Sequence, residues 1–387
     1  MNIFCSATWE EINLNLANRF IKYCCHQTWM PLPENLTVDW ILNNQTLNER
    51  KQFMLDNKKH STCNYCWSNE EQTGTSMRLL KNDPVLEQVI RQNPKHNYVR
   101  KIEIGLDNIC NQSCIYCNET YSSLIAEEKG IIQKFSKASE HDINVIVDWL
   151  GTIDTNKYQP LVIKFLGGEP TASKNYFNFL DRLIEVCSEK YFNIFTVTNC
   201  NSTDKSLEKM QSYFDHKTNW KWSFGISNES TGSISENVRH NGDWNNFDKC
   251  LKFYAYNPQV FFITMTMSPN IFTIKDMPKY VQYVDNIFKK SKKNYGYTYN
   301  WVQFPTILNP ANLPKEFKKY VIETKEIVNA STSNIHKTSF LNYLNELEKL
   351  IGTKNLDNVE LVKWLDGVNF YKGDLNTKLL LSQCEDT

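Results

Sequence analysis

Apolar residues recur along this chain with two periods. Runs rich in β-branched and aromatic residues fall near 100–106, 161–166, 192–198, 221–227, 260–267 and 299–304, and each is short and dense enough to read as a strand. The gaps between them carry helical stripes. Ile143, Ile146, Val147 and Leu150 lie at i, i+3, i+4, i+7 before the second run, and Tyr176, Leu180, Leu183, Ile184 and Cys187 form a similar stripe after it. Strands alternating with helices predict βα units and a parallel sheet, which right-handed crossovers curl into a full or partial barrel. From about Asn309 the pattern changes: Pro310 and Pro314 precede amphipathic stretches at Phe317 to Val328 and Phe340 to Ile351. That segment, 309–387, reads as a helical C-terminal extension without metal spacing, suited to capping the barrel or holding substrate. Its charged residues read as a solvated helix face rather than a docking site.

The chemistry on this frame starts at Cys110-Asn-Gln-Ser-Cys114-Ile-Tyr-Cys117, a C-x3-C-x2-C run that follows the apolar positions Ile102, Ile104 and Leu106. Three thiolates at this spacing suit three irons of a cubane [4Fe-4S] cluster and leave the fourth iron open to a small molecule, as open metal sites generally are. A structural zinc site is the plainer alternative. The strand-like Leu161 to Leu166 ends in Gly167-Gly168-Glu169-Pro170, where glycines let the backbone approach a neighbour closely. A simple strand-ending turn is the alternative there.

Together these residues resemble the radical S-adenosylmethionine (radical SAM) superfamily. Its three-cysteine signature carries an aromatic residue before the last cysteine, here Tyr116, and Gly167 to Pro170 is similar to its GGEP motif. Phe195 to Cys200 resembles the strand ending in Thr-Asn-Gly, with Cys200 in place of glycine. Ser223 to Glu229 resembles the strand ending in Ser-x-Asp-Gly, with Glu229-Ser230 in place of Asp-Gly. The resemblance runs from about Asn97 to Pro305. It implies a core of 97–308 folded as a partial, six-stranded (β/α)6 TIM-like barrel, with its motifs at the C-terminal strand ends. It also implies that Cys110, Cys114 and Cys117 bind the cluster, that the Gly167–Pro170 loop meets the amino group of S-adenosylmethionine, and that Asn199, Ser227 and Arg239 contact the rest of that cofactor.

A second cysteine system precedes the core. Cys5, the doublet Cys24-Cys25, and Cys63-Asn-Tyr-Cys66 running into Glu71, Gly74, Ser76 and Arg78 resemble the auxiliary-cluster region called a twitch domain, a shortened relative of the SPASM domain. Here it occupies the N-terminal 1–90, with Arg19 where a glycine is usual. Cys5, Cys24, Cys63 and Cys66 would then hold a second [4Fe-4S] cluster, with Cys25 as the alternative to Cys24. Tetrahedral zinc also suits a C-x2-C knuckle with two distant cysteines. Cys187, Cys200, Cys250 and Cys384 have no ligand spacing and read as small apolar fillers.

Composition narrows the field further. Lys+Arg and Asp+Glu both number 43, so no global positive field points to nucleic acid. No apolar stretch approaches the roughly 20 residues needed to span a bilayer, and the N-terminus lacks the basic and apolar pattern of a signal peptide. Clustered rather than evenly spread cysteines suit a reducing compartment, and cytoplasmic residence is expected. The resemblance implies an enzyme that takes an electron from a reductant such as flavodoxin or ferredoxin. It would reductively cleave S-adenosylmethionine to a 5′-deoxyadenosyl radical and abstract hydrogen from a substrate. A peptide or protein side chain is the leading substrate class. A small molecule such as a sugar, aminocyclitol or nucleotide is the alternative within the superfamily, and a non-catalytic metal-binding interaction protein is the alternative outside it.

Overall fold

The computed structural model describes residues 3–132, 135–302 and 304–385. Among the described residues nine strands form one sheet: β1 (Glu11–Asn15), β2 (Phe20–Lys22), β3 (Met30–Pro31), β4 (Lys101–Gly105), β5 (Leu161–Leu166), β6 (Phe192–Thr198), β7 (Lys221–Ser227), β8 (Val260–Met267) and β9 (Tyr295–Tyr299). Their order is β3-β2-β1-β4-β5-β6-β7-β8-β9. Neighbours from β1 and β4 through β9 are parallel, whereas β2 and β3 add antiparallel at one edge.

Two features differ from the expected six strands. First, the N-terminal region supplies β1, which lies parallel to β4 with Glu11 opposite Lys101 and Asn15 opposite Gly105. Seven strands are therefore parallel, and the sheet runs across the expected boundary at 90–97. Ile12, Leu14 and Leu16 alternate with polar residues over too short a span to stand out. Second, the last strand is Tyr295–Tyr299 rather than 299–304. Tyr295 and Tyr297 stack on Phe288 and Phe340 with centroids 4.1 and 4.0 Å apart, and pairing ends where Asn300 N–H donates to Met267 O. Gln303, within the expected run, lies outside the described residues.

The sheet's two faces differ. Ile102, Ile104, Ile163, Phe165, Ile194 and Phe224 are buried beneath the crossover helices, with Phe165 and Phe224 against Tyr176 and Tyr254. Parallel sheets covered on both faces read as continuous apolar runs; here the opposite face stays partly accessible. Along it Glu103, Lys164 and Phe195 lie in register, as do Val197, Gly225, Thr264 and Gly296. The C-terminal helices Lys318–Ala330, Lys337–Leu350, Asn358–Lys372 and Thr377–Ser382 join the main core, with Tyr343 stacked on Tyr299 at 3.5 Å. Among the described residues no helix is long and apolar enough to cross a membrane.

A second, smaller core gathers Phe4, Trp9, Met54, Trp67, Ile90 and Tyr98 with Cys5 and Cys63. It is pinned by an ion pair between Glu70 and Arg78, both side chains 2% exposed. Arg78 Nε and Nη2 donate to the two carboxylate oxygens at 2.9 and 2.5 Å, Nη1 donates to Phe4 O at 3.0 Å, and Ser76 donates to Glu70 at 2.5 Å. The acidic residue that matters is therefore Glu70. Glu71 lies at the surface and pairs with Lys59 at 2.9 Å. Gly74, in the left-handed region at φ 73°, ends the helix Asn64–Thr73 and turns the chain toward Ser76. Removing one partner of a buried ion pair leaves an uncompensated charge and costs about 3–5 kcal/mol. We expect Glu70→Ala to lower the urea unfolding midpoint strongly and Glu71→Ala to leave it almost unchanged.

Candidate metal and cofactor site

The loop after β4 carries Cys110, Cys114 and Cys117, and most of its backbone is fixed from outside. Ser113 and Ile115 N–H donate to His240 O and Val238 O at 2.9 and 3.0 Å, and Ser123 N–H donates to Asn108 O at 2.8 Å. Cys110 N–H donates to Ser123 Oγ at 3.3 Å, and Ser122 Oγ donates to Gln112 O at 2.9 Å. The ring of Tyr116 is anchored through its hydroxyl, which donates to Glu229 at 2.8 Å.

The loop after β5 lies directly on this segment. A Cβ on Gly167 would sit 2.6 Å from Asp107 O, and one on Gly168 would sit 2.1 Å from Ile109 O. Gly167 has φ 141°, which side chains disfavour. Both positions are thus closed to anything but glycine, and the close approach they permit is to the cysteine loop itself. Glu169 N–H donates to Ile109 O at 2.6 Å. The buried Glu169 carboxylate accepts from Thr171 N–H and Oγ1, Thr198 Oγ1 and Asn199 N–H at 3.0, 2.6, 2.7 and 2.5 Å. Burial pushes its carboxyl above the ordinary range, against those donors. Glu169 therefore ties the end of β5 to the end of β6. Pro170 follows, buried, at the start of the short turn Pro170–Ala172.

Asn199 follows β6 and donates to Asn111 Oδ1 at 2.8 Å, with its Nδ2 4.0 Å from Cys110 Sγ. Ser227 closes β7 on the accessible face, in register with Thr266 and, beyond it, Thr298. This hydroxyl row has no motif to announce it. Arg239 is buried: Nη2 donates to Glu229 at 2.7 Å, its guanidinium lies 5.7 Å from the Tyr116 ring centroid, and its Nε has no partner.

Burial dominates the thiols. It pushes Cys114 up to about 12 against the pull of Arg239 and Lys372, and it raises Cys110 and Cys117 as well. The three act on one another through their charges. Buried thiols of this kind become thiolates only where positive charge compensates them, as a metal centre does.

Lys372 is a correction to the reading of the extension as a solvated face. It closes the helix Asn358–Lys372, its side chain is 0% exposed, and Nζ donates to Ser113 O at 2.5 Å and to Glu128 at 3.0 Å. His240 bridges Ser113 Oγ at 3.1 Å and Asp374 at 2.5 Å. The C-terminal extension thus docks under the cysteine loop. Sequence spacing gave no sign of Lys372, Glu128 or His240 as parts of this site.

In the N-terminal core, Cys5, Cys63 and Cys66 are buried and Cys24 is half-buried. Cys24 acts electrostatically on both Cys5 and Cys66, as does Cys63. Burial pushes Cys5 up to about 12. Cys25 is exposed and acts with Cys24 alone among the cysteines. It lines a cavity of about 190 Å³ on the accessible face of the sheet, with Trp29, Glu103, Gly105, Asp107 and Gly167 and with Tyr121 from just past Cys117. Among the described residues no three Cys, His, Asp or Glu side chains stand close enough together to hold a metal ion.

No family model and no curated protein matches this sequence. Solved structures of SuiB from Streptococcus suis are similar at a distance. The form bound to S-adenosylmethionine has a TM-score of 0.42 at 12% identity, covering 84% of this chain and 70% of that one. The form bound to the precursor peptide SuiA has a TM-score of 0.40 at 12% identity with the same coverage. Likeness this loose carries no argument about fold or activity.

Proposed function

We propose that this chain is a radical SAM enzyme with a second [4Fe-4S] centre in its N-terminal region, acting on a peptide or protein side chain. The carrying observation is the assembly at the C-terminal strand ends: three half-buried thiols on the loop after β4, the glycine loop after β5 seated on that loop's backbone, and Asn199 after β6 beside Cys110. The donor set suits a cubane with one iron free of protein. Such a cluster supplies, when loaded and reduced by a donor such as flavodoxin or ferredoxin, the electron that cleaves S-adenosylmethionine to methionine and a 5′-deoxyadenosyl radical for hydrogen abstraction.

The protein's own residues set the conditions. Cys110, Cys114 and Cys117 hold the core cluster, and Arg239 and Lys372 place positive charge beside Cys114 and Cys117. Gly167, Gly168, Glu169 and Pro170 shape the cofactor's cradle. Asn199, Ser227 and Arg239, whose Nε is unpartnered, supply polar atoms for the remainder of S-adenosylmethionine. Cys5, Cys24, Cys63 and Cys66 hold the second cluster, leaving Cys25 to the cavity wall. A cavity of about 190 Å³ is below the range of about 300–1,000 Å³ that encloses whole small molecules. It has room for one side chain of a longer substrate.

Anaerobic reconstitution should give about eight irons per chain, two cubanes of four, and dithionite with S-adenosylmethionine should release 5′-deoxyadenosine. Cys114→Ala should abolish that release. Cys24→Ala should lose about half the iron while Cys25→Ala keeps it; zinc in the N-terminal site would reject the second cluster. Lys372→Met removes a buried charge beside the core cluster, and 5′-deoxyadenosine formation should slow about tenfold, roughly 1.4 kcal/mol, with iron content retained. An unchanged rate would show that the lysine serves only to dock the helix.

A further inference from the structure

The N-terminal core buries two arginines and satisfies them in different ways. Arg78 has a carboxylate, Glu70, matched to it by two hydrogen bonds. Arg50, on the helix Gln45–Leu55, is 1% exposed, and among the described residues no carboxylate pairs with it. Its Nη1 donates to Gln27 Oε1 at 2.5 Å, Gln27 N–H donates in turn to Cys24 O at 3.4 Å, and the Arg50 Nε is buried with no partner. Cys5 and Cys63, with Cys24 packed against them, share a cluster with Met54 of the same helix, and these three cysteines are the ones that act on Arg50 electrostatically. Gln27 is held in turn, its Oε1 accepting from Tyr23 N–H at 2.9 Å, so the guanidinium is aimed rather than loose.

A guanidinium does not lose its proton in a protein, and an unpaired buried charge is strongly unfavourable. With neutral thiols this site would be uncompensated. With thiolates on a metal cluster it would face an opposite charge. One-electron reduction of such a cluster adds a negative charge without changing its ligands, and a fixed cation nearby stabilises that reduced form over the oxidised one.

We propose that Arg50 is the built-in counter-cation of the N-terminal cluster and raises its reduction potential, poising this centre to accept an electron rather than to deliver one. This rests on the reading of Cys5, Cys24, Cys63 and Cys66 as ligands of that cluster. Arg50 acts through the cluster and is a positioning residue.

The test is an EPR-monitored redox titration of the reconstituted holoprotein, with iron and sulfide counted on the same samples. Arg50→Met should keep its iron and shift the N-terminal cluster to a more negative potential, leaving the core cluster where it was. Arg50→Lys, which keeps the charge, should restore most of the shift. Should Arg50→Met fail to take up iron, Gln27→Leu takes its place. That change removes the acceptor that aims the guanidinium, and a smaller shift in the same direction is expected. A full complement of iron with an unmoved potential in the variant that loads would overturn the role of Arg50. A wild-type protein with no N-terminal cluster to titrate would instead overturn the reading on which it rests.

Discussion

The contact on which the candidate site depends is a backbone one, between the glycines after β5 and the carbonyls that open the cysteine loop. Gly168 leaves no room for a Cβ against Ile109 O, and Glu169 N–H closes on that same carbonyl at 2.6 Å. Because Glu169 also spends its carboxylate on the end of β6, three successive strand ends are locked as one unit. A loop that must present three thiols to one inorganic cube would lose its aim if it moved by a fraction of its own width. Here its position is set by the sheet, through groups that cannot rotate away.

Charge is the second constraint. Burial alone raises every thiol in both sets that shows a shift, so the cavities are hostile to thiolates until cations are supplied. The chain supplies them from distant segments: Arg239 from beyond β7, Lys372 from the last long helix, and Arg50 from the N-terminal module. Each is buried, and each is oriented by a hydrogen-bonding partner, Glu229, Glu128 or Gln27. The N- and C-terminal segments are thus electrostatic parts of the cysteine sites, beyond their packing on the sheet.

Much of this was legible in the sequence. Five of the six expected core strands stand within a residue or two of their places, because β-branched and aromatic runs bury one face against helices whose own stripes were visible. The sixth was displaced toward the tyrosines that stack on the helices, since alternation in 299–304 continues past the point where pairing stops. β1 was missed because five residues with polar neighbours carry too weak a period to compete. The cysteine spacings and the glycine pair were readable, since they are local. Lys372, Glu128, His240 and Arg50 were not, because their roles come from contacts between segments far apart in the chain, and nothing in a single sequence says which lysine or arginine a fold will bury.

The departures from the resembled pattern carry their own information. Arg19 and Cys200 stand where glycine is usual, and both keep a left-handed backbone, with φ of 56° and 58°. For residues with a Cβ this costs about 1–2 kcal/mol each. In each case the side chain that creates the strain makes a contact glycine could not. Arg19 reaches the buried Asp142 at 2.6 Å and ties the β1–β2 turn to the helix Glu140–Thr152. Cys200 meets Cys250 beneath the end of β6. Glu229 follows the same logic in place of aspartate: its carboxylate accepts from Tyr116 through one oxygen and from Arg239 through the other. What survives substitution in this chain is the placement of backbone and charge around the thiols. That is the level at which the resemblance should be judged, since it is the level on which cluster binding physically depends.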